Sequence, residues 1–288
     1  MTVFGVFGLG LIGNALCSRL IASGFKVVGF DPDPDRCAEL VALGGTVGTA
    51  DQVWATDAVF SCVFDTDQLA DLIANAPRGQ TCLVSMSTCD PDRMQGIADT
   101  ASERQITLVE APISGTSRAL AQGDVLLLVA GDADAIDRLD PALRALSRQY
   151  LRLATIGDGN RAKLAINLVL GLHRAALAEG MVFAEALGLS AQDFLSMAKA
   201  SAAYSAVMDS KGQSMVDRDF SPQGRIVQSA KDFTLIRDSA SAAGQGLPFT
   251  ETYLAMMQDA LDQGEGDLDN AAVLLPIART PAPVTKKT

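Results

Sequence analysis

Val3-Phe-Gly-Val-Phe7, Gly8-Leu9-Gly10-Leu11-Ile12-Gly13, Asn14-Ala-Leu-Cys-Ser-Arg-Leu-Ile-Ala-Ser23, Gly24 and Phe25-Lys-Val-Val-Gly-Phe30-Asp31 follow one another at the start of the chain. An apolar strand runs into a glycine turn, a helix follows, and a second apolar strand ends on a carboxylate. A dinucleotide site needs that order. Gly8 permits the tight turn, Gly10 lets the backbone approach a pyrophosphate, and Gly13 lets the helix lie close to the strand. Leu9, Leu11 and Ile12 complete the turn, and the helix N-terminus offers N–H groups and a positive dipole end to phosphates. A glycine-rich turn alone occurs in many α/β proteins; the flanking strands, the helix and Asp31, eighteen residues past Gly13, make it specific. A carboxylate at Asp31 accepts from adenosine ribose hydroxyls and repels a 2′-phosphate. Pro32-Asp33-Pro34-Asp35 adds negative charge before Arg36, so NAD is favoured over NADP. The alternative for Asp31 is a polar strand end opening a turn.

Working outward, apolar β-rich runs alternate with helical patterns to about residue 155. Strands are expected at Val3–Phe7, Lys26–Phe30, Ala58–Val63, Thr81–Ser85, Thr107–Glu110, Val125–Ala130 and Tyr150–Ala154. Helices are expected at Asp35–Leu43, Thr66–Ala74, Pro91–Ser102 and Ala133–Leu146. Such alternation gives a mainly parallel sheet covered by helices on both faces. After Ile156-Gly-Asp-Gly159 one long helical pattern runs from Asn160 to Leu187, stopped by Gly188. Further helices are expected near Ala191–Ala200, Ile226–Ala243, Thr250–Asp262 and Asn270–Ile277, and no strand pattern returns. The predicted architecture is therefore an α/β Rossmann-type N-terminal domain, residues 1–157, and an all-α C-terminal domain built on a long helix, residues 158–279. Residues 280–288 read as a disordered tail.

The 288 residues are 48% hydrophobic and 20% charged, enough to bury a substantial core. A net charge of −11 makes nucleic acid and anionic membranes poor partners. No stretch reads as long and uniformly apolar enough to cross a membrane. The apolar N-terminus lacks the leading Lys or Arg of a signal peptide. Five cysteines, Cys17, Cys37, Cys62, Cys82 and Cys89, are odd in number and contain no Cys-x-x-Cys, which suits a reducing cytoplasm. The single histidine, His173, removes most metal chemistry and every Ser-His or Cys-His arrangement. Proton transfer then falls to Lys, Tyr, a carboxylate or water, and no metal is expected. On the long helix Leu168, Val169, Leu172, Leu177, Met181 and Val182 occupy several faces, a pattern of burial that predicts a homodimer or homotetramer through this domain.

Five further segments carry chemistry. Met86-Ser87-Thr88 closes a strand where ligands bind in open α/β sheets; its hydroxyls would equally cap a helix near Pro91. Cys62-Val63-Phe64-Asp65 ends an earlier strand and could be a ligand edge or an Asp-capped helix start. Glu110-Ala-Pro-Ile-Ser114-Gly115-Thr116 offers a hydroxyl and backbone N–H groups to a carboxylate, or is a plain Ser-Gly turn. Gly157-Asp-Gly159-Asn-Arg-Ala-Lys163-Leu-Ala-Ile-Asn167 puts Lys163 and Asn167 on one helix face among apolar neighbours, a costly place for an idle lysine. Lys231-Asp232-Phe-Thr-Leu235 is a fifth element, a surface ion pair by its local pattern.

Taken together these motifs resemble the 3-hydroxyisobutyrate dehydrogenase (β-hydroxyacid dehydrogenase) family from residue 1 to about residue 279. The resemblance implies that Val63, Phe64 and Thr88 line the cofactor and that Lys231 reaches it. It implies that Ser114, Gly115, Thr116 and Asn167 bind a small carboxylic acid and that Lys163 is the catalytic acid/base. Thr116 stands where the family has a second glycine, placing a side chain near the substrate. The implied reaction is reversible oxidation of a β-hydroxy acid of 3-hydroxyisobutyrate, glycerate or sugar-acid type with NAD. Phosphogluconate dehydrogenases carry Lys-x-x-His-Asn, whereas Ile166 precedes Asn167 here. Imine reductases lack the lysine. A non-catalytic NAD-binding homologue is the third alternative. Residues from Tyr204 to Lys211 are candidates for the far end of the pocket.

Overall fold

Two glycines set the geometry at the start of the chain. Gly8 takes φ +83°, which an L side chain rarely adopts, and a Cβ on Gly13 would lie 1.8 Å from the Gly8 carbonyl oxygen. Only glycine lets β1 (Val3–Phe7) turn at once into α1 (Leu11–Ala22) at that separation. The computed structural model of the chain describes residues 2–281, so the tail expected from residue 280 lies almost wholly outside the described residues. The alternation continues as β2 (Lys26–Phe30), α2 (Pro34–Ala42), β3 (Thr46–Val47), α3 (Ala50–Trp54), β4 (Ala58–Ser61), α4 (Thr66–Ala74), β5 (Thr81–Ser85), α5 (Met94–Glu103) and β6 (Ile106–Glu110). These six strands lie parallel in the order β3-β2-β1-β4-β5-β6, with the order reversing between β1 and β4.

The sheet is mainly parallel, as expected, and its antiparallel part comes last. β7 (Ile113–Ser114), α6 (Ser117–Ala121), β8 (Leu126–Gly131), α7 (Ala133–Leu146) and β9 (Gln149–Arg152) follow. β8 runs antiparallel to β6 and β7, and β9 runs parallel to β8. β1 and β4 are nearly continuous runs of buried residues, as a sheet covered on both faces requires. One apolar layer gathers Leu16, Leu20, Phe60, Leu120, Leu139 and Leu143; the other gathers Trp54, Leu69, Ile73, Leu83, Met94 and Leu108.

The helical part comprises α8 (Asp158–Ala186), α9 (Ala191–Ala200), α10 (Ala206–Asp217), α11 (Ile226–Ala242), α12 (Pro248–Asp262), a 3-10 turn (Asn270–Val273) and α13 (Leu274–Arg279). The chain divides into two compact units that meet at Ile166 and Asn167, so the first two turns of α8 belong to the sheet-bearing unit. Gly159 explains this placement: a Cβ there would meet the Leu128 carbonyl oxygen at 2.7 Å, so the helix start lies directly on the sheet. α8 also corrects a sequence expectation. By length and composition it could cross a membrane, because its Ala and Leu outweigh Arg161, Lys163, Arg174, Glu179 and Glu185. Its side chains bond within the helical unit, Asn167 to Asp232 and Arg174 to the Tyr253 hydroxyl.

Candidate active site

The glycine turn presents what a dinucleotide needs. No side chain caps the N-terminus of α1, and above Gly10 the nearest atom to a hypothetical Cβ is an Arg36 nitrogen at 3.9 Å. The backbone is thus approachable at Gly10, while the Gly8 side is closed by the Cys62 carbonyl at 2.7 Å. Asp31 is 6% exposed. Its Oδ2 accepts the Leu9 N–H at 2.7 Å and its Oδ1 accepts the Asp33 N–H at 2.9 Å, which ties β2 to the glycine turn. Arg36 reaches the same carboxylate at 3.4 Å and Asp33 at 3.3 Å. The cation that the sequence set apart, five residues on, therefore lies on Asp31, because the first turn of α2 folds Arg36 back. These residues fit a dinucleotide with its adenosine ribose at Asp31.

The strand ends beside the turn form the adjoining edge. Val63 accepts the Ser87 hydroxyl at 2.6 Å through its carbonyl, joining the segments after β4 and β5. Ser87 and Thr88 do not cap a helix at Pro91, since α5 begins only at Met94 with Arg93 as its cap. Phe64 is partly exposed, and Asp65 caps α4 by accepting the Gln68 N–H at 2.8 Å. In the acid-binding candidate loop, Ser114 ends β7 and Gly115 takes φ +152°. A Cβ on Gly115 would sit 2.6 Å from Val125, so no side chain fits there. Thr116 spends its hydroxyl as the N-cap of α6, accepting the Ala119 N–H at 3.2 Å. The departure from the family's glycine thus supplies a cap.

Lys163 stands four residues past Gly159 and is 8% exposed. The helix start that carries it is pinned by Glu110, a residue to which the sequence assigned no role. Glu110 is fully buried at the end of β6. Its Oε1 accepts the N–H groups of Gly157 and Gly159 at 2.7 and 2.8 Å, and its Oε2 accepts Asn160 Nδ2 at 2.6 Å. Asn160 Oδ1 in turn accepts the Cys89 N–H at 2.7 Å. Burial raises the Glu110 carboxyl above its ordinary range against the opposing effect of these donors.

In the helical unit Asn167 Nδ2 donates to Asp232 Oδ2 at 2.8 Å, and the Lys231 ammonium lies 3.0 Å from Asp232 Oδ1. Asp232 joins the two candidate residues and was missed, because Lys-Asp reads locally as a surface ion pair. Both side chains are largely buried, so this pair is no surface feature. Lys211, the last residue of the Tyr204–Lys211 stretch, is buried and paired with Asp269 at 2.7 and 2.8 Å. Asp269 also accepts the Gln223, Gly224 and Ala271 N–H groups and so anchors the C-terminal segment. Burial pushes the Cys17 and Cys82 thiols up to about 12, which leaves them un-ionised at neutral pH. Among the described residues no group of three or more His, Cys, Asp or Glu side chains could hold a metal.

Comparison with known proteins gives the family. Residues 3–157 match the NAD-binding domain of 6-phosphogluconate dehydrogenase, and residues 157–277 match the NAD-binding family of NADP-dependent 3-hydroxyisobutyrate dehydrogenase. Glyoxylate/succinic semialdehyde reductase 1 of Arabidopsis thaliana is 27% identical over 94% of this chain and 96% of its own length. The cytokine-like nuclear factor N-PAC of Drosophila melanogaster is 26% identical over 94% of this chain, which spans only 47% of that protein. The crystal structure of 3-hydroxyisobutyrate dehydrogenase from Salmonella typhimurium superposes with a TM-score of 0.87 at 28% identity, covering 96% of this chain and 99% of that one. The chain belongs to the 3-hydroxyisobutyrate dehydrogenase (β-hydroxyacid dehydrogenase) family of NAD(P)-binding oxidoreductases.

Proposed function

We propose that the protein interconverts a small β-hydroxy acid and its aldehyde or ketone, with NAD preferred over NADP and Lys163 as general acid/base. The observation that carries this reading is Lys163 itself: a lysine buried to 8% exposure at the docked start of α8, one turn before Asn167. Its place on the helix start pinned by Glu110, in the same motif as Asn167, supports the reading. A nicotinamide, when bound, supplies the hydride acceptor in oxidation and the donor in reduction. Lys163 Nζ takes the hydroxyl proton in oxidation and returns it in reduction. The Ser114 hydroxyl and the N–H groups around Gly115 and Thr116 hold the substrate carboxylate by charge-assisted hydrogen bonds. Asn167, its amide fixed by Asp232, orients the substrate hydroxyl, and Lys231 serves the cofactor. Asp31, with both oxygens already fixed by backbone N–H groups, supports the NAD preference, while Arg36 beside it favours a 2′-phosphate.

The partners proposed are a small carboxylic acid and further copies of the same chain, with neither nucleic acid nor membrane. A panel of acids tests the function: 3-hydroxyisobutyrate, glycerate and serine in oxidation and tartronate semialdehyde in reduction, with glyoxylate and succinic semialdehyde, whose products are α- and γ-hydroxy acids, as contrasts. Nicotinamide absorbance is followed with each cofactor. Turnover of at least one β-hydroxy acid or its semialdehyde with NAD is the expected result. Tight NAD binding with no turnover of any of them would favour a non-catalytic homologue.

A further inference from the structure

We propose that Glu110 and Asn160 are positioning residues that set the height and rotation of the Lys163 helix start against the strand ends, and so control proton transfer. The inference rests on the proposed role of Lys163. Three segments that carry candidate site residues converge on one carboxylate. Glu110 opens the loop bearing Ser114, Gly115 and Thr116. Its Oε1 holds the first turn of α8 through Gly157 and Gly159. Its Oε2 holds Asn160, whose carbonyl fixes the Cys89 N–H immediately after Thr88. Lys163 follows Gly159 by four residues and Asn160 by three, so it rides on the turn these bonds anchor.

The polarity of this run of hydrogen bonds is fully determined. A carboxylate can only accept, so Asn160 must present Nδ2 to Glu110 and Oδ1 to Cys89. No rotation of the Asn160 amide satisfies both neighbours in another way. Glu110→Gln breaks the pattern without changing size. If the new amide oxygen faces Gly157 and Gly159, its NH₂ meets the Asn160 NH₂; turning Asn160 moves the clash to Cys89. Asn160→Asp sets a second carboxylate against Glu110, which forces one of them to hold a proton. The double exchange Glu110→Gln with Asn160→Asp reverses the polarity of one bond only. The amide introduced at position 110 then donates to the carboxylate introduced at position 160. The other oxygen of that carboxylate accepts the Cys89 N–H, and the net charge is that of the natural pair.

The test compares these two single variants, the double variant and the natural protein. Amide hydrogen exchange is read in peptides covering 87–90 and 157–160. The reactivity of the Lys163 amine is read by competitive acetylation with acetic anhydride. kcat and KM are read with NAD and the best acid of the panel above. Each single variant should exchange faster in both peptides, show altered Lys163 acetylation, and lose about tenfold to a hundredfold in kcat with little change in KM for NAD. The double variant should recover all three. Unaltered Lys163 acetylation in the single variants overturns the proposal. So does a double variant that recovers exchange but not kcat, or one that does not fold. If no acid turns over, the proposed function has failed, and exchange with acetylation still decides the positioning claim.

Discussion

At Asp31 a single carboxylate holds the glycine turn through Leu9, the start of α2 through Asp33, and Arg36 at 3.4 Å. Cofactor choice is therefore a contest between two side chains in contact. Asp31→Ser removes the acceptor for ribose hydroxyls and the repulsion of a 2′-phosphate, and it releases Arg36. NAD binding should weaken by about 1.5–3 kcal/mol, the worth of a hydrogen bond to a charged group, and NADP binding should tighten. Adding Arg36→Ala should remove the NADP gain. Calorimetric titration of the natural protein and both variants checks this, and an unchanged ratio of NAD to NADP affinity in Asp31→Ser contradicts it. A second residue-scale expectation concerns Thr116. Its hydroxyl caps α6, so Thr116→Gly should cost a few tenths of a kcal/mol to about 1 kcal/mol in stability, read as a lower Tm. A gain in stability there would mean that the cap contributes nothing.

α8 is the element on which both units depend. Deep in the helical unit Gly171 lets α11 approach: a Cβ there would lie 2.3 Å from the Phe233 ring. That ring cannot retreat, because Phe233 is buried against Tyr253 with ring centroids 4.0 Å apart. Gly171→Ala should therefore destabilise the protein by about 1–3 kcal/mol despite the better helix propensity of alanine, and a denaturant midpoint equal to or above the natural one would refute the contact. The long helix and the β1–α1–β2 unit were legible because each has a sustained apolar pattern and a glycine punctuation. β3 and β7, of two residues each, have no period to read. α10 escaped because Lys211 and Gly212 occupy inward positions, Lys211 held by an aspartate 58 residues away. The antiparallel turn of β8 depends on pairing with β6 and β7, which no local signal encodes. At the candidate site Lys163, Asn167 and Ser114 were named through the resemblance to family motifs. Glu110 and Asp232 were not, since their partners lie 47 and 65 residues away in sequence.

At the scale of the whole molecule, the sheet-bearing unit supplies a dinucleotide-shaped edge and the helical unit leaves apolar side chains uncovered. Val169, Phe183, Leu187 and Phe249 are 52%, 63%, 65% and 71% exposed in the single chain. Phe183 and Leu187 stand four residues apart at the end of α8, and the proposed homodimer or homotetramer would cover them. Light scattering at micromolar concentration should show two or four copies, and replacing Phe183 and Leu187 by Glu should yield monomers; a natural protein that is already monomeric contradicts this. The central claim is the proton-transfer role of Lys163, and steady-state kinetics of Lys163→Ala and Lys163→Arg on the best acid of the panel test it most directly. Both variants should lose about 10²–10⁴-fold in kcat while NAD affinity holds, because neither methyl nor guanidinium can exchange the proton. Near-natural kcat in Lys163→Arg, with the Ala defect confined to KM, would make Lys163 a carboxylate anchor and contradict the claim.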